Sequence, residues 1–158
     1  MDGRHNPCGP GSVEGSEGNP HLHLDAPDTE SGLAAAMASL EAFLERHGVD
    51  AEASFSARLT MEEIVTNIIK YAYSDDDRHE IEIDVRITQE TVEFAFADDG
   101  KEFNPLEAAP PNTELPFQER PIGGLGLHLV REISERLEYR RDGDRNQLIV
   151  HISRKKGA

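Results

Sequence analysis

The stretch "EIEIDVRITQETVEFAFADDGKEFNP", residues 80–105, decides how the rest of the chain is read. Residues 80–87 and 91–98 alternate apolar and polar side chains with a period of two, which predicts two half-buried strands joined by a tight connection. Sequential strands in a hairpin are antiparallel, so this segment argues against a doubly wound parallel sheet. The second strand runs into Asp98-Asp99-Gly100. That tripeptide reads as a plain turn. It reads equally as a strand-end carboxylate able to accept a hydrogen bond from an exocyclic amine such as that of adenine, with Gly100 allowing a ring to approach the backbone.

Outward from this hairpin the elements follow the same logic. Residues 1–20 hold five glycines and three prolines with little to bury, and read as a flexible tail. "HLHL" at 21–24 alternates and predicts a short strand, with His21 and His23 on one face, either an exposed strand face or a metal-binding pair. Residues 28–47 carry Leu33, Met37, Leu40 and Leu44 at helical spacing and stop at Gly48. A second helix is expected over about 56–73. Toward the C-terminus, a helix is expected to run to about Leu137, and "LEYRR" and "NQLIVHI" flank the turn "DGDR" as a hairpin. The expected fold is α+β: a two-layer sandwich with a mixed, mostly antiparallel sheet of about five strands and its helices on one face. Residues 21–153 form the expected domain, and 154–158 a C-terminal tail.

Within the second helix, Met61, Ile64, Val65, Ile68, Ile69 and Ala72 form the core-facing stripe. Glu63, Asn67 and Lys70 fall on a different line of the same helix. They suit a solvated face with a helpful Glu–Lys spacing. They also suit a base, a Mg²⁺ ligand and a phosphate contact in a row. Residues 104–122 contain five of the nine prolines and read as a long loop able to cover such a line. Gly123, Gly124 and Gly126 follow, read as a loop entering a helix whose free N–H groups can hold phosphate. "GGLGLH" lacks the lysine of a P-loop and does not stand in a βαβ unit, which excludes both common glycine-rich nucleotide motifs.

Composition narrows the function classes. The formal net charge is −15 over 158 residues, so nucleic acid and anionic membrane are poor partners. No apolar run is long enough for a membrane span, no signal peptide is evident, and the single cysteine, Cys8, suits a reducing cytoplasm.

Taken together, "EEIVTNIIKYAY", "DDGKEFNP" and "GGLGLHLVREI" resemble, in order, the N box and the two glycine boxes of the GHKL (histidine kinase-like) ATPase superfamily. The stand-alone anti-sigma factor serine/threonine kinases are the most similar branch. The resemblance implies the Bergerat fold and ATP with Mg²⁺ as cofactors. By position it implies Glu63 as catalytic carboxylate, Asn67 as Mg²⁺ ligand and Lys70 as phosphate contact. It implies Asp98 on the adenine amine, Gly100 in that pocket, Gly124 and Gly126 on the phosphate side, and the 104–122 loop as an ATP lid. Glu102 stands where histidine kinases usually carry a second glycine, which favours the serine-kinase branch. The implied activity is phosphorylation of a STAS-type anti-sigma factor antagonist in the cytoplasm, with a sigma factor as a second partner and a homodimer as a common state. The alternative is a nucleotide-binding regulatory module that sequesters a protein partner with little or no transfer.

Overall fold

The structure is a computed structural model and describes residues 18–107 and 124–154. Five strands, β1 (His21–Pro27), β2 (Glu80–Ile87), β3 (Thr91–Asp98), β4 (Arg136–Asp142) and β5 (Arg145–Ser153), form one sheet in the order β1-β2-β3-β5-β4. Every pairing is antiparallel, so the described sheet has no parallel part and is simpler than a mixed one. Period-two burial gives it one covered face, with Ile81, Ile83, Val85, Val92, Phe94, Phe96, Val150 and Ile152 inside. The other face carries His21, His23, Asp84, Glu93 and His151, all partly exposed. Among the described residues, no three histidine, cysteine or acidic side chains are placed to hold a metal ion; the His21 and His23 rings both bond Asp84 Oδ1, at 2.9 and 2.8 Å.

Three helices, α1 (Glu30–Arg46), α2 (Ala51–Tyr71) and α3 (Gly124–Ile133), make the second layer. α1 packs on β1 and α2, α2 lies over β3 and β5, and α3 packs against α2. Thr29 caps α1 by accepting from the Gly32 N–H at 3.0 Å. The deepest positions of α1 include Gly32 and Ala36, while Leu33 and Met37 are only partly buried. Small residues are needed there, since a Cβ on Gly32 would collide with the Pro27 carbonyl. α2 begins at Ala51, five residues before the expected start, because Asp50 caps it by accepting from the Ala53 N–H at 2.9 Å. Its added turn buries Ala53, whose small side chain gives a weak apolar signal. α3 ends at Ile133, not Leu137. The Ser134 hydroxyl bonds back to the Val130 carbonyl, and the Glu135 N–H turns to the His151 carbonyl. Leu137 then pairs with Val150 in β4, a placement that also satisfies the apolar spacing of the helix before it. The β4–β5 turn is Gly143-Asp144, with Gly143 at φ 57°, as a two-residue hairpin requires.

Candidate functional site

The period of two that turns Val92, Phe94 and Phe96 inward also turns Asp98 inward, at the end of β3. On β5 the row Leu148, Val150 and Ile152 places Asn146 inside by the same rule. The register sets Asp98 directly opposite Asn146, and the two are the buried polar pair of the sheet, 5% and 6% exposed. They stand at one end of a cleft of about 460 Å³, counting its open mouth. Ile64, Ile68, Phe96, Leu127 and Leu148 supply its apolar walls, and Asn67 and Lys101 also line it. An apolar cleft with a few converging polar groups is the usual form of a small-molecule site.

Asp98 is held from two sides. Its Oδ1 accepts from the Gly100 N–H at 2.9 Å and from Asn146 Nδ2 at 3.0 Å. Burying a carboxylate is costly without such donors. Oδ2 receives neither bond and is the oxygen that can serve a ligand donor. Gly100 also has a packing reason. A Cβ there would lie 2.5 Å from both the Ala72 Cβ and the Ala72 carbonyl oxygen, so the residue lets the chain after β3 cross the end of α2. Lys101 N–H completes that crossing by donating to the Ala72 carbonyl at 2.9 Å.

Along α2, Asn67 lines the cleft beside Ile64 and Ile68. Glu63, one turn earlier, is partly buried under the start of α3, where a Cβ on Gly126 would fall inside its carboxylate. Gly124 and Gly126 are therefore the first and third residues of α3 itself rather than an entering loop. At Gly126 the glycine serves close approach of two helices, not a left-handed backbone. The first turn of a helix leaves its N–H groups without intrahelical partners, so this contact puts backbone donors beside Glu63. Burial pushes the Glu63 carboxyl above the ordinary carboxylate range. The neighbouring Glu62 adds to the rise, and Lys70 opposes it. Lys70 is exposed, and neither it nor Glu63 is among the residues lining the cleft, so of the helical line only Asn67 reaches the cavity wall. Gly123 and residues 108–122 of the expected lid lie outside the described residues; only the 3₁₀ turn Pro105–Glu107 at its start is described, with Pro105 on the cleft wall.

Sequence reasoning left Asn146 unassigned and passed over Tyr139 and Arg141. The available signal was a polar residue on the buried parity of an otherwise apolar strand. Asn67 and Asp98 on one cavity, with Glu63 against the start of α3, gather three segments that lie far apart in the chain. A model of the histidine kinase-like ATPase domain matches residues 26–152. The chain belongs to the histidine kinase-like ATPase domain family. It is similar to "Serine-protein kinase RsbW" of Oceanobacillus iheyensis, 25% identical over 119 residues that span 73% of this chain and 75% of the relative. It is also similar to "Serine/threonine-protein kinase BtrW" of Bordetella bronchiseptica, 30% identical over 105 residues, 66% of this chain and 74% of the relative. Among solved structures, a Mycobacterium tuberculosis chain holding RsbU and RsbW domains shares the fold. Its TM-score is 0.62 at 16% identity, over 86% of this chain and 33% of that one. The five-stranded antiparallel sheet with three helices agrees with this histidine kinase-like ATPase fold. No helix among the described residues is long and apolar enough to cross a membrane.

Proposed function

We propose that this chain is an ATP-dependent serine/threonine protein kinase that acts in the cytoplasm as an anti-sigma regulatory factor. Its substrate is a serine on a STAS-type anti-sigma factor antagonist, and a sigma factor is its second partner. The observation that carries the reading is Asp98 and Asn67 on one cleft, with Glu63, one helical turn before Asn67, against the start of α3. The names of the RsbW and BtrW relatives support a protein serine or threonine as acceptor.

In this reading the adenine enters between Ile64, Ile68 and Leu148 and donates its amine to Asp98. Asn67 offers a hard amide oxygen at the cleft, which fits Mg²⁺, an ion that keeps several waters and takes its other ligands from phosphate. When bound, Mg²⁺ neutralises the charge on the phosphates. The N–H groups at Gly124 and Gly126 orient the phosphates from the start of α3. Lys70, exposed one turn beyond Asn67, meets phosphate only where the ligand extends past the described cleft. Glu63 accepts the proton of the substrate serine as its oxygen bonds to the γ-phosphorus and the bond to the ADP oxygen breaks. Its raised pKa suits a base that must also release the proton.

The test is incubation of the full chain with γ-labelled ATP, Mg²⁺ and the STAS protein encoded nearest to it. Label on a serine of that protein is expected. Saturable ATP binding with no label on any cognate STAS protein would instead make the chain a nucleotide-dependent binding module.

A further inference from the structure

We propose that Asn146, oriented by Tyr139 and Arg141, is the positioning residue that fixes Asp98 as a hydrogen-bond acceptor and makes the cleft prefer a purine bearing an amine over one bearing a carbonyl. This rests on the nucleotide reading of the cleft and deepens it.

The four hydrogen-bonding positions of the Asn146 amide are all used. Nδ2 donates to Asp98 Oδ1 at 3.0 Å and to the Lys101 carbonyl at 2.8 Å. Oδ1 accepts from the Tyr139 hydroxyl at 2.6 Å and from Arg141 Nη1 at 3.1 Å. A guanidinium can only donate, so the group facing Arg141 must be the amide oxygen. The opposite edge, facing Asp98, must then be the NH₂. Arg141 is itself held, since Nη1 also donates to the Gly100 carbonyl at 2.8 Å and Nε to the Gly143 carbonyl at 3.0 Å. Hydrogen-bond polarity therefore runs in one direction, from the guanidinium through the amide to the carboxylate.

The consequence falls on the ligand. Two N–H donors on Oδ1, from Gly100 and Asn146, offset the burial of the carboxylate and leave Oδ2 for the ligand. A fixed acceptor bonds an amine and leaves a carbonyl facing a carboxylate. A site built to hydrogen-bond one group rejects an analogue that lacks it far more strongly than an apolar pocket rejects a change of size. The hairpin register creates this arrangement, because Asn146 is opposite Asp98 on one side and Arg141 on the other.

The test measures calorimetric affinities of the full chain for ATP and for inosine triphosphate, which carries a carbonyl in place of the amine. Wild type is expected to favour ATP by about thirtyfold or more. Asn146→Asp replaces the donor with a second carboxylate, and two facing carboxylates share a proton that either one can present. The preference is then expected to fall to about fivefold or less. Tyr139→Phe with Arg141→Gln leaves Asn146 in place but frees its amide to flip, and serves if Asn146→Asp does not fold; a fall of similar sense is expected. Loss of affinity for both nucleotides in equal proportion, with the ratio kept, would reduce Asn146 to a packing role and overturn the inference. A wild type that binds ATP and inosine triphosphate alike would overturn it as well. A wild type that binds neither would remove the nucleotide reading itself.

Discussion

The two ends of the candidate site are built differently. At the Asp98 end, strand register opposes two buried polar residues; Gly100 holds Asp98, and Lys101, Tyr139 and Arg141 hold Asn146. At the Glu63 end, two helices touch, and the carboxylate is set by burial and neighbouring charge. The first end suits recognition, which needs a shape prepared before the ligand arrives. The second suits transfer, which needs a group poised to change its proton. Substitutions at the two ends should therefore fail in different ways.

The largest effect is expected where the ends meet. Asn67→Ala should lose both tight nucleotide binding and phosphate transfer, because it removes the oxygen assigned to Mg²⁺, on which transfer depends. Calorimetry with and without Mg²⁺ checks this, and Mg²⁺-dependent binding kept in the variant would break the assignment. Next is the pH profile of transfer. In the proposed mechanism Glu63 is a base only when deprotonated, and its pKa is raised. Transfer should therefore rise with pH through a value above the ordinary carboxylate range, falling about tenfold per pH unit below it. A limb at the ordinary value would show that burial does not tune this carboxylate.

A smaller effect is expected at Gly100, where alanine would meet the Ala72 carbonyl. Gly100→Ala should cost about 1–3 kcal/mol in chemical denaturation. The smallest is on the open face of the sheet. The hydrogen bond to Asp84 raises the His23 pKa, against a smaller desolvation effect. That stabilisation is full below the unfolded value and is lost as pH rises through the raised one. Both partners are more than a third exposed, so His23→Gln should change stability by only a few tenths of a kcal/mol, and only on the acidic side. An equal effect at high pH would assign the contact to packing instead.

Much of this was legible in the sequence for a specific reason. Period-two alternation fixes which strand residues turn inward, and the parity that buries Phe94 and Phe96 extends to Asp98 at the strand end. The helix ends were less legible. Asp50 and the small residue Ala53 give no apolar stripe, yet they cap α2 and bury its first turn. Leu137 fits a helix spacing and a strand parity alike. The roles of Gly100 and Gly126 depend on contacts with Ala72 and Glu63, tens of residues away in the chain, which local reasoning about turns cannot supply. The Asn146 network was hidden for the same reason, since its meaning lies in the cross-strand register.

The most direct test of the account compares Asp98→Asn with Glu63→Gln, measuring ATP affinity and serine phosphorylation of the proposed STAS partner on the same preparations. Asp98→Asn should weaken ATP binding by about ten- to a hundredfold, since it removes a charged acceptor from the recognition end. Glu63→Gln should hold ATP affinity within several-fold and cut transfer by about 10²–10⁴-fold. Parallel loss of affinity and transfer in Glu63→Gln, or full transfer in its presence, would contradict the division of labour between the two ends.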